Sequence, residues 1–280
     1  MLRLRFARGL TVCPPSKLSE FGSAAHTIAL AVLASGVGCV PRERPGQHRE
    51  TPAPATVPTA GAAPAAASAS PASSNDAKED ALLVAEFNDD FDRESSDPGP
   101  NWRSTSAAWS VAGGRLCGEN AHNHPIWLAR RLPKNASIEF QALSESSDGD
   151  IKAEFWGDGR SSASGQSYTD ATSYLTIFGG WKNHFHVLAR INEHAPDRQE
   201  IKLLPEGADF TRSTVLPQRA YQFHVERRDG RTVRWRVDGH EILNYADTQP
   251  LLGPGHEHFG FNDWEVRVCF DNLRVTPLQD

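Results

Sequence analysis

The chain has 280 residues and a formal net charge of −6, and its acidic and basic residues are mixed along its length. A nucleic-acid partner is therefore not expected, because neutralising phosphates needs a clustered basic surface. Low-complexity sequence occupies the first 80 residues. The remainder, roughly 200 residues, suits a single β-sandwich domain.

Residues 1–39 are typical of an export signal. Three arginines within the first eight residues give a positive start, and residues 27–38 form an apolar stretch too short to span a bilayer. The stretch ends at Cys39 in a sequence that resembles a bacterial lipobox, in which the cysteine is lipidated, although Gly36 stands where leucine is usual. A plain secretory signal cleaved nearby is the alternative. Either form predicts an exported protein, an outer-membrane lipoprotein of the cell envelope or a secreted one.

Residues 40–80 are rich in proline, alanine and serine. Such a segment cannot bury enough apolar surface to offset the entropy lost on ordering, so it is predicted to be a disordered tether. It would hold the folded part, residues 81–280, away from the membrane. Contact with the membrane is thus expected through the lipid anchor only.

The folded part consists of short alternating segments separated by turn residues, and none of its segments has an apolar period of 3.6. Many short strands at near-regular spacing predict an all-β, antiparallel, two-sheet β-sandwich. A hairpin with Gly-Gly at its tip is expected at 109–116. The other predicted strands are 87–91, 126–131, 136–143, 151–156, 174–178, 185–191, 221–227, 232–237, 241–245 and 256–275.

The first and last strands are expected to pair. Residues 256–275 alternate in polarity like a long strand, and residues 87–91 have the pattern of its partner. Cys117 and Cys269 are an even pair in a protein bound for an oxidising compartment. If their strands are neighbours, a disulfide would join the start of the sandwich to its end. Two buried free thiols are the alternative, and the sequence leaves both open.

The strand and turn motifs resemble a known superfamily. They are Phe-x-Asp-Asp-Phe from Phe87, Trp-x-Val-x-Gly-Gly-x-Leu from Trp109, Tyr-x-Phe-x-Val from Tyr221, Val-x-Trp-x-Val-Asp-Gly from Val233 and Phe-Asp-Asn-Leu-Arg-Val from Phe270. Together they are similar to the concanavalin A-like lectin/glucanase superfamily, and most similar to its laminin-G-like and 3-keto-disaccharide-hydrolase-like jelly rolls. The likeness covers nearly all of residues 85–277. It implies a jelly roll, and many members of such families bind or process polysaccharides.

A glycan-binding surface needs flat aromatic faces beside planar polar groups. Strand alternation predicts that Ile151, Ala153 and Phe155 face the core, and that residues 185, 187, 189 and 191 do so in a later strand. The side chains between them would form an outward surface for a polysaccharide or oligosaccharide. Ordinary solvated surface is the alternative. The predicted carbohydrate-binding residues are Trp127, Asp150, Lys152, Trp156, Trp181, Asn183, His184 and Arg190.

Cleavage of a glycan on the same face would need paired carboxylates, or a base with an acid. Glu154 and Glu193 are the predicted carboxylates, and Asp150 and Glu139 are the alternative pair. His186 is the predicted base of a lyase, or else His184, acting with Tyr174 and Arg190. The Glu-x-Asp-x-x-Glu pattern of laminarinase-like glucanases is absent from the sequence. We therefore predict a carbohydrate-binding module. The alternatives are a glycan-cleaving enzyme, either a glycoside hydrolase or a polysaccharide lyase, and a structural or protein-binding envelope module.

Metal binding has weaker support in the sequence. His184 and His186 lie two residues apart on a predicted strand and could share a divalent ion. A transition-metal site would also need a third ligand, from Glu193, His194 or Glu154, and we predict no such site. The Asp-Gly-Asp turn at 148–150 could hold a structural Ca²⁺, and no other cofactor is expected.

The closing stretch carries charged and aromatic side chains of its own, at His256, His258 and residues 263–265. A strand that begins with Gly-Phe and contains a tryptophan is more simply explained by edge packing and solvated charge. We therefore interpret this stretch as a structural element. The chemistry is predicted to lie on the face formed by residues 150–191.

Overall fold

The computed structural model describes residues 81–204 and 209–279. The predicted signal, Cys39 and the tether lie outside the described residues, so the export signal, the lipid anchor and the domain boundaries stay predictions. No helix among the described residues is long and apolar enough to cross a membrane.

The described chain folds into strands with almost no helix. In chain order the strands are β1 (Phe87–Asp89), β2 (Trp102–Ser104), β3 (Trp109–Ala112), β4 (Arg115–Gly118), β5 (Ile126–Leu128), β6 (Ala136–Ser144), β7 (Ile151–Gly157), β8 (Tyr174–Gly179), β9 (Phe185–Arg190), β10 (Gln199–Lys202), β11 (Tyr221–Arg227), β12 (Thr232–Val237), β13 (His240–Ala246), β14 (His258–Asn262) and β15 (Val268–Pro277). Two single turns complete the described elements, Gly180–Asn183 after β8 and the 3-10 turn Phe210–Arg212.

These strands form two antiparallel sheets. The eight-stranded sheet has the order β13-β12-β11-β6-β15-β4-β3, with β1 added beside β15. The seven-stranded sheet has the order β10-β9-β8-β7-β14-β5-β2. The predicted all-β, two-sheet antiparallel sandwich of the jelly-roll type is therefore confirmed. Strands β2 and β10 were not predicted, because segments of three and four residues show too little alternation to be recognised.

Strand β15 lies inside the eight-stranded sheet and joins the two ends of the domain. Phe87 of β1 pairs with Val275, which confirms the predicted pairing of the first and last strands. Cys269 lies directly opposite Cys117 of β4, and the two form a disulfide with their Cα atoms 4.1 Å apart. The cross-link spans 152 residues of sequence, so it ties an early strand to the last one.

The core lies between the two sheets and is rich in phenylalanine. Phe140 and Phe223 of the eight-stranded sheet stack with ring centroids 4.9 Å apart. Phe261 of the seven-stranded sheet stacks on Phe270 of the other sheet at 4.1 Å. Burial of such rings supplies about 1.5–3 kcal/mol each and is the main force that holds the sheets together.

Part of the outer face of the seven-stranded sheet is also buried. Residues 158–173, here called the covering segment, cross this face between β7 and β8. Ala163, Tyr168 and Ala171 of the segment pack on Leu175, Ile177, Val187 and Ala189 of the sheet. Strands β8 and β9 are therefore buried on both sides, and alternation alone cannot tell which side faces the core.

Candidate functional site

A cavity of about 450 Å³ lies on the outer face of the seven-stranded sheet, next to the covering segment. Its floor includes Lys152 of β7 and Ile177 of β8, which pair across the two strands. Loops and turns from five parts of the chain supply its walls, and we call it the outer cavity. The other lining residues are Asp148, Asp150, Gln166, Ser167, Trp181, Lys182, Glu193, His194, Trp264, Glu265 and Val266.

A buried ion pair forms part of the floor. Lys152 and Glu193 are only 3% and 6% exposed. The Nζ of Lys152 donates to Glu193 Oε2 at 2.9 Å and to Asn123 Oδ1 at 2.7 Å. Burial alone would lower the pKa of Lys152, but Glu193 and Asp150 outweigh it, so that the pKa lies above its ordinary value. The floor therefore keeps a fixed, charged pair.

One wall is a turn of left-handed backbone. Trp181, Lys182 and Asn183 have φ angles of 52°, 56° and 60°. Each such residue other than glycine costs of order 1 kcal/mol or more, so the turn persists only if its surroundings hold it. Asn183 does so through three hydrogen bonds. Its Nδ2 donates to Ser147 O at 2.9 Å and to Val215 O at 2.8 Å, and its Oδ1 accepts from Val215 N at 2.8 Å.

Two indole rings stand in the walls. The Arg198 guanidinium lies 4.4 Å from the ring centroid of Trp181. The His122 ring meets Trp264 edge-on, with centroids 4.9 Å apart, and His122 N donates to Trp264 O at 2.9 Å. Both tryptophans are therefore positioned by neighbouring groups while part of each remains exposed to the cavity.

The cavity is strongly acidic around Asp150. Burial raises the pKa of this carboxyl, and the nearby charges of Glu193, Glu265 and Asp148 raise it further, against the opposing effect of Lys152. Each of these neighbours also lines the outer cavity. Negative charge is thus concentrated in one recess, where a low local dielectric strengthens its interaction with any ligand charge.

Glu154 lies on the same strand face as Lys152 but beneath the covering segment. Its carboxyl is wholly buried and accepts hydrogen bonds from Tyr168 OH at 2.9 Å, Ser173 Oγ at 2.6 Å and Asn262 Nδ2 at 2.7 Å. Burial outweighs these donors and raises its pKa to about 7. The structure therefore gives Glu154 a role in fastening the covering segment to the sheet.

The structure brings four of the predicted site residues together. Asp150, Lys152, Trp181 and Glu193 line the outer cavity. Trp127 lies on the outer face too but is wholly buried, and its Nε1 donates to Ser161 O of the covering segment at 3.0 Å. Its ring presents no face to a ligand in this arrangement.

The outward orientation predicted for Trp156 and His186 is wrong. Trp156 has a φ of 56° beside a register shift between β7 and β14, and this bulge turns its ring into the core. The Arg227 guanidinium lies 3.9 Å from that ring. The His186 ring stacks on core Phe178 at 4.1 Å, and burial lowers its pKa to about 3.

The side chains of strand β9 face opposite to the prediction, whereas Ile191, just after the strand, packs against the core as predicted. Val187 and Ala189 pack beneath the covering segment, and Phe185 packs against the same cluster, whereas Leu188 belongs to the core between the sheets. The reason is the second apolar layer, which the alternation pattern could not distinguish from the first. Arg190 shares the facing of His186 and Leu188, and its Nε donates to Asp247 Oδ2 at 2.9 Å.

The remaining predicted residues lie beside the outer cavity. His184 is exposed, and its ring Nδ1 is hydrogen-bonded to the carbonyl oxygen of Trp181. Asn183 supports the turn, as described above. Among residues 81–204 and 209–279, no group of three or more His, Cys, Asp or Glu side chains is arranged to hold a metal ion. A structural Ca²⁺ at residues 148–150 stays a prediction.

The sequence did not indicate the wall formed by Trp264 and Glu265. We interpreted residues 263–265 as edge packing and solvated charge, but two of them line the outer cavity. A tryptophan flanked by carboxylates in a loop was the available signal. Gln166 and Ser167, from the covering segment, carried no signal at all, because a polar loop residue has no pattern that marks it.

The pKa of Glu154 predicts a pH-dependent stability. A carboxyl raised from 4.5 to about 7 stabilises the fold fully below pH 4.5, and this contribution is lost as the pH rises through 7. Asp263, whose pKa burial also raises to about 7, acts in the same direction. Between pH 4.5 and 8 the unfolding free energy should therefore fall, and we expect this fall to be about 3 kcal/mol smaller in Glu154→Gln than in the unmodified protein.

Denaturant unfolding between pH 4.5 and 8 measures this effect. Glu241→Gln, an exposed change on β13, is the matched control and should leave the pH dependence unchanged. An equally steep decline in the Glu154→Gln variant would show that this carboxyl does not carry the effect.

Asn183→Ala tests how the left-handed turn is held. The change leaves the buried Val215 N and the Val215 and Ser147 carbonyls without this partner, so we expect a loss of roughly 3 kcal/mol in unfolding free energy. Asn244→Ala removes one exposed hydrogen bond to Glu241 and should cost less than about 0.5 kcal/mol. Equal, small losses in the two variants, measured by urea unfolding, would contradict this role.

No family model matches the chain, and no curated protein matches it. Solved structures of similar fold include the carbohydrate-binding module CBM66 from Bacillus subtilis, at 14% identity and a TM-score of 0.47 over 64% of this chain and 97% of that one. They also include alginate lyase Aly36B, at 11% identity and 0.46 over 70% and 99%. A Bacillus licheniformis β-glucanase matches at 10% identity and 0.45 over 69% and 98%. Similarities at this level support no statement about activity.

Proposed function

We propose that this domain binds a glycan chain in the outer cavity. The observation that carries the proposal is the placement of Trp181 and Trp264 in the walls of a 450 Å³ recess whose other lining groups are mostly polar. Indole faces stack on sugar rings, and carboxylates and amides bond to hydroxyl groups. A cavity of this volume is of the size that proteins use for ligands, about 300–1,000 Å³.

Several features support binding over cleavage. Of the three residues predicted to be catalytic, Glu154 is covered by Tyr168 and His186 lies in the core. Glu193 reaches the cavity, but its carboxylate is held by Lys152 at 2.9 Å. A carboxylate fixed in a buried ion pair is a poor proton acceptor, because protonation would leave the lysine charge unpaired.

Glycan cleavage is the second candidate, and one observation favours it. Asp150 has a raised pKa and lies near Glu193, which is paired with a lysine. Two neighbouring carboxyl groups, one of them with a raised pKa, are the arrangement that glycoside hydrolysis uses. Asp150 would be the general acid of such a reaction. Incubation of the protein with soluble polysaccharides and an assay for new reducing ends or unsaturated products would detect such turnover.

The disulfide between Cys117 and Cys269 supports an oxidising location, because such bonds are rare in the cytoplasm. We propose that the protein acts at the cell envelope or outside the cell, with Cys39 as the site of the anchoring lipid. Polysaccharide capture at the envelope is the role that this location and the outer cavity would serve together.

Binding is tested by titrating the full chain with a panel of oligosaccharides in a calorimeter. We expect Trp181→Ala and Trp264→Ala each to weaken binding by about tenfold, since one stacked ring contributes about 0.5–1.5 kcal/mol beyond its buried area. His240→Ala, an exposed ring that stacks on Phe210 in the eight-stranded sheet region, is the control and should bind normally.

Melting curves would show that each variant is folded. Retained affinity in both tryptophan variants would contradict the proposed site. No binding of any glycan would contradict the proposed function and favour a structural or protein-binding envelope module.

A further inference from the structure

The outer cavity holds more negative charge than its own cations balance. Its lining includes four carboxylates, those of Asp148, Asp150, Glu193 and Glu265, against two ammonium groups. Lys152 is already neutralised by Glu193, and His194 also lies beside that carboxylate at 3.3 Å. Three carboxylates of the lining remain, and the exposed Lys182 is the one ammonium group of the lining left to balance them. They are Asp148, Asp150 and Glu265.

Asp150 is the central acceptor of this group. Within the described parts of the chain, no donor forms a hydrogen bond with its side-chain oxygens, although its backbone N donates to Gly179 O at 3.0 Å. The side chain is partly buried, and both Lys152 and three other carboxylates lie near it. A half-buried carboxylate without a donor gains a strong, charge-assisted hydrogen bond when a ligand cation binds beside it in the cavity.

The indole rings of the cavity also favour a positively charged ligand. The face of Trp181 already attracts one cation, the guanidinium of Arg198, at 4.4 Å from its centroid. Indole is the aromatic ring that attracts ammonium groups most strongly. Trp264, and the part of Trp181 that Arg198 does not cover, therefore place cation-attracting indole in the same recess as the unmatched carboxylates. Uncharged sugars would gain only stacking and hydrogen bonds to their hydroxyl groups, and uronic acids would be repelled by the carboxylates.

On this basis, and resting on the proposed function, we propose that the glycan bound in the outer cavity carries free amino groups. The ligand class is a 2-amino-2-deoxy sugar polymer of the chitosan type. Its ammonium group would lie against Asp150 and Glu265, and its ring would stack on a wall tryptophan. The acidic residues are then specificity determinants, because they distinguish ammonium sugars from sugars with hydroxyl or carboxylate groups.

Four soluble probes separate these cases. They are the β-1,4-linked tetrasaccharides of glucosamine, N-acetylglucosamine and glucose, with a uronic acid oligomer as the fourth. At pH 6 and low salt we expect the glucosamine tetramer to bind at least about tenfold more tightly than the glucose tetramer. Added salt should reduce this ratio, since it screens charges near the surface.

Two variants test the residues themselves. Asp150→Asn keeps the shape and tolerates the φ of 63° at this position, and Glu265→Gln keeps the exposed loop. Each should reduce the ratio of glucosamine to glucose affinity severalfold. Glu241→Gln, a charge removed from the other sheet, should leave the ratio unchanged.

The outcomes distinguish this inference from the function on which it rests. Equal or tighter binding of the neutral or uronate probe would overturn the inference while glycan binding stands. An unchanged ratio in both Asp150→Asn and Glu265→Gln would overturn the assignment of these residues. Failure of all four probes to bind would reject the glycan-binding function together with the inference.

Discussion

The buried ammonium of Lys152 is the interaction on which the candidate site depends. It joins three separate parts of the chain, because its Nζ donates to Glu193 after β9 and to Asn123 in the loop before β5. A buried charge without its partner costs several kcal/mol, so each of these segments is held in place. The floor of the outer cavity is thus fixed before any ligand arrives, which lowers the entropy lost on binding.

Strand β7 shows how two neighbouring positions on one face acquire different roles. Lys152 lies at the open end of the face, where the cavity begins, and remains charged beside Glu193. Glu154 lies two residues further along, under Tyr168, where burial raises its pKa to about 7. The covering segment therefore divides the outer face into a closed, structural half and an open half suited to a ligand.

The sequence predicted the sandwich and the pairing of its first and last strands, because alternation and turn residues are local signals. It also placed Asp150, Lys152, Trp181 and Glu193 in one site, since these lie on one strand and in two nearby loops. The sequence predicted wrongly which side chains point into the core wherever contacts with distant parts of the chain decide this. The covering segment buries the apolar side of β9 outside the core, and a bulge turns Trp156 into the core. The wall at Trp264 comes from a distant loop, and its proximity to Trp181 follows only from the sheet order.

The central claim is that a glycan occupies the outer cavity between the two tryptophans in its walls. Nuclear magnetic resonance spectra of the indole N–H groups, recorded while the glucosamine tetramer is added, test it most directly. If the glycan binds there, the Trp181 and Trp264 signals shift. Those of the buried Trp127 and Trp156 stay in place, since their N–H groups are bonded to the Ser161 and Pro133 carbonyls. Saturable shifts confined to other parts of the protein, with Trp181 and Trp264 unchanged, would contradict it.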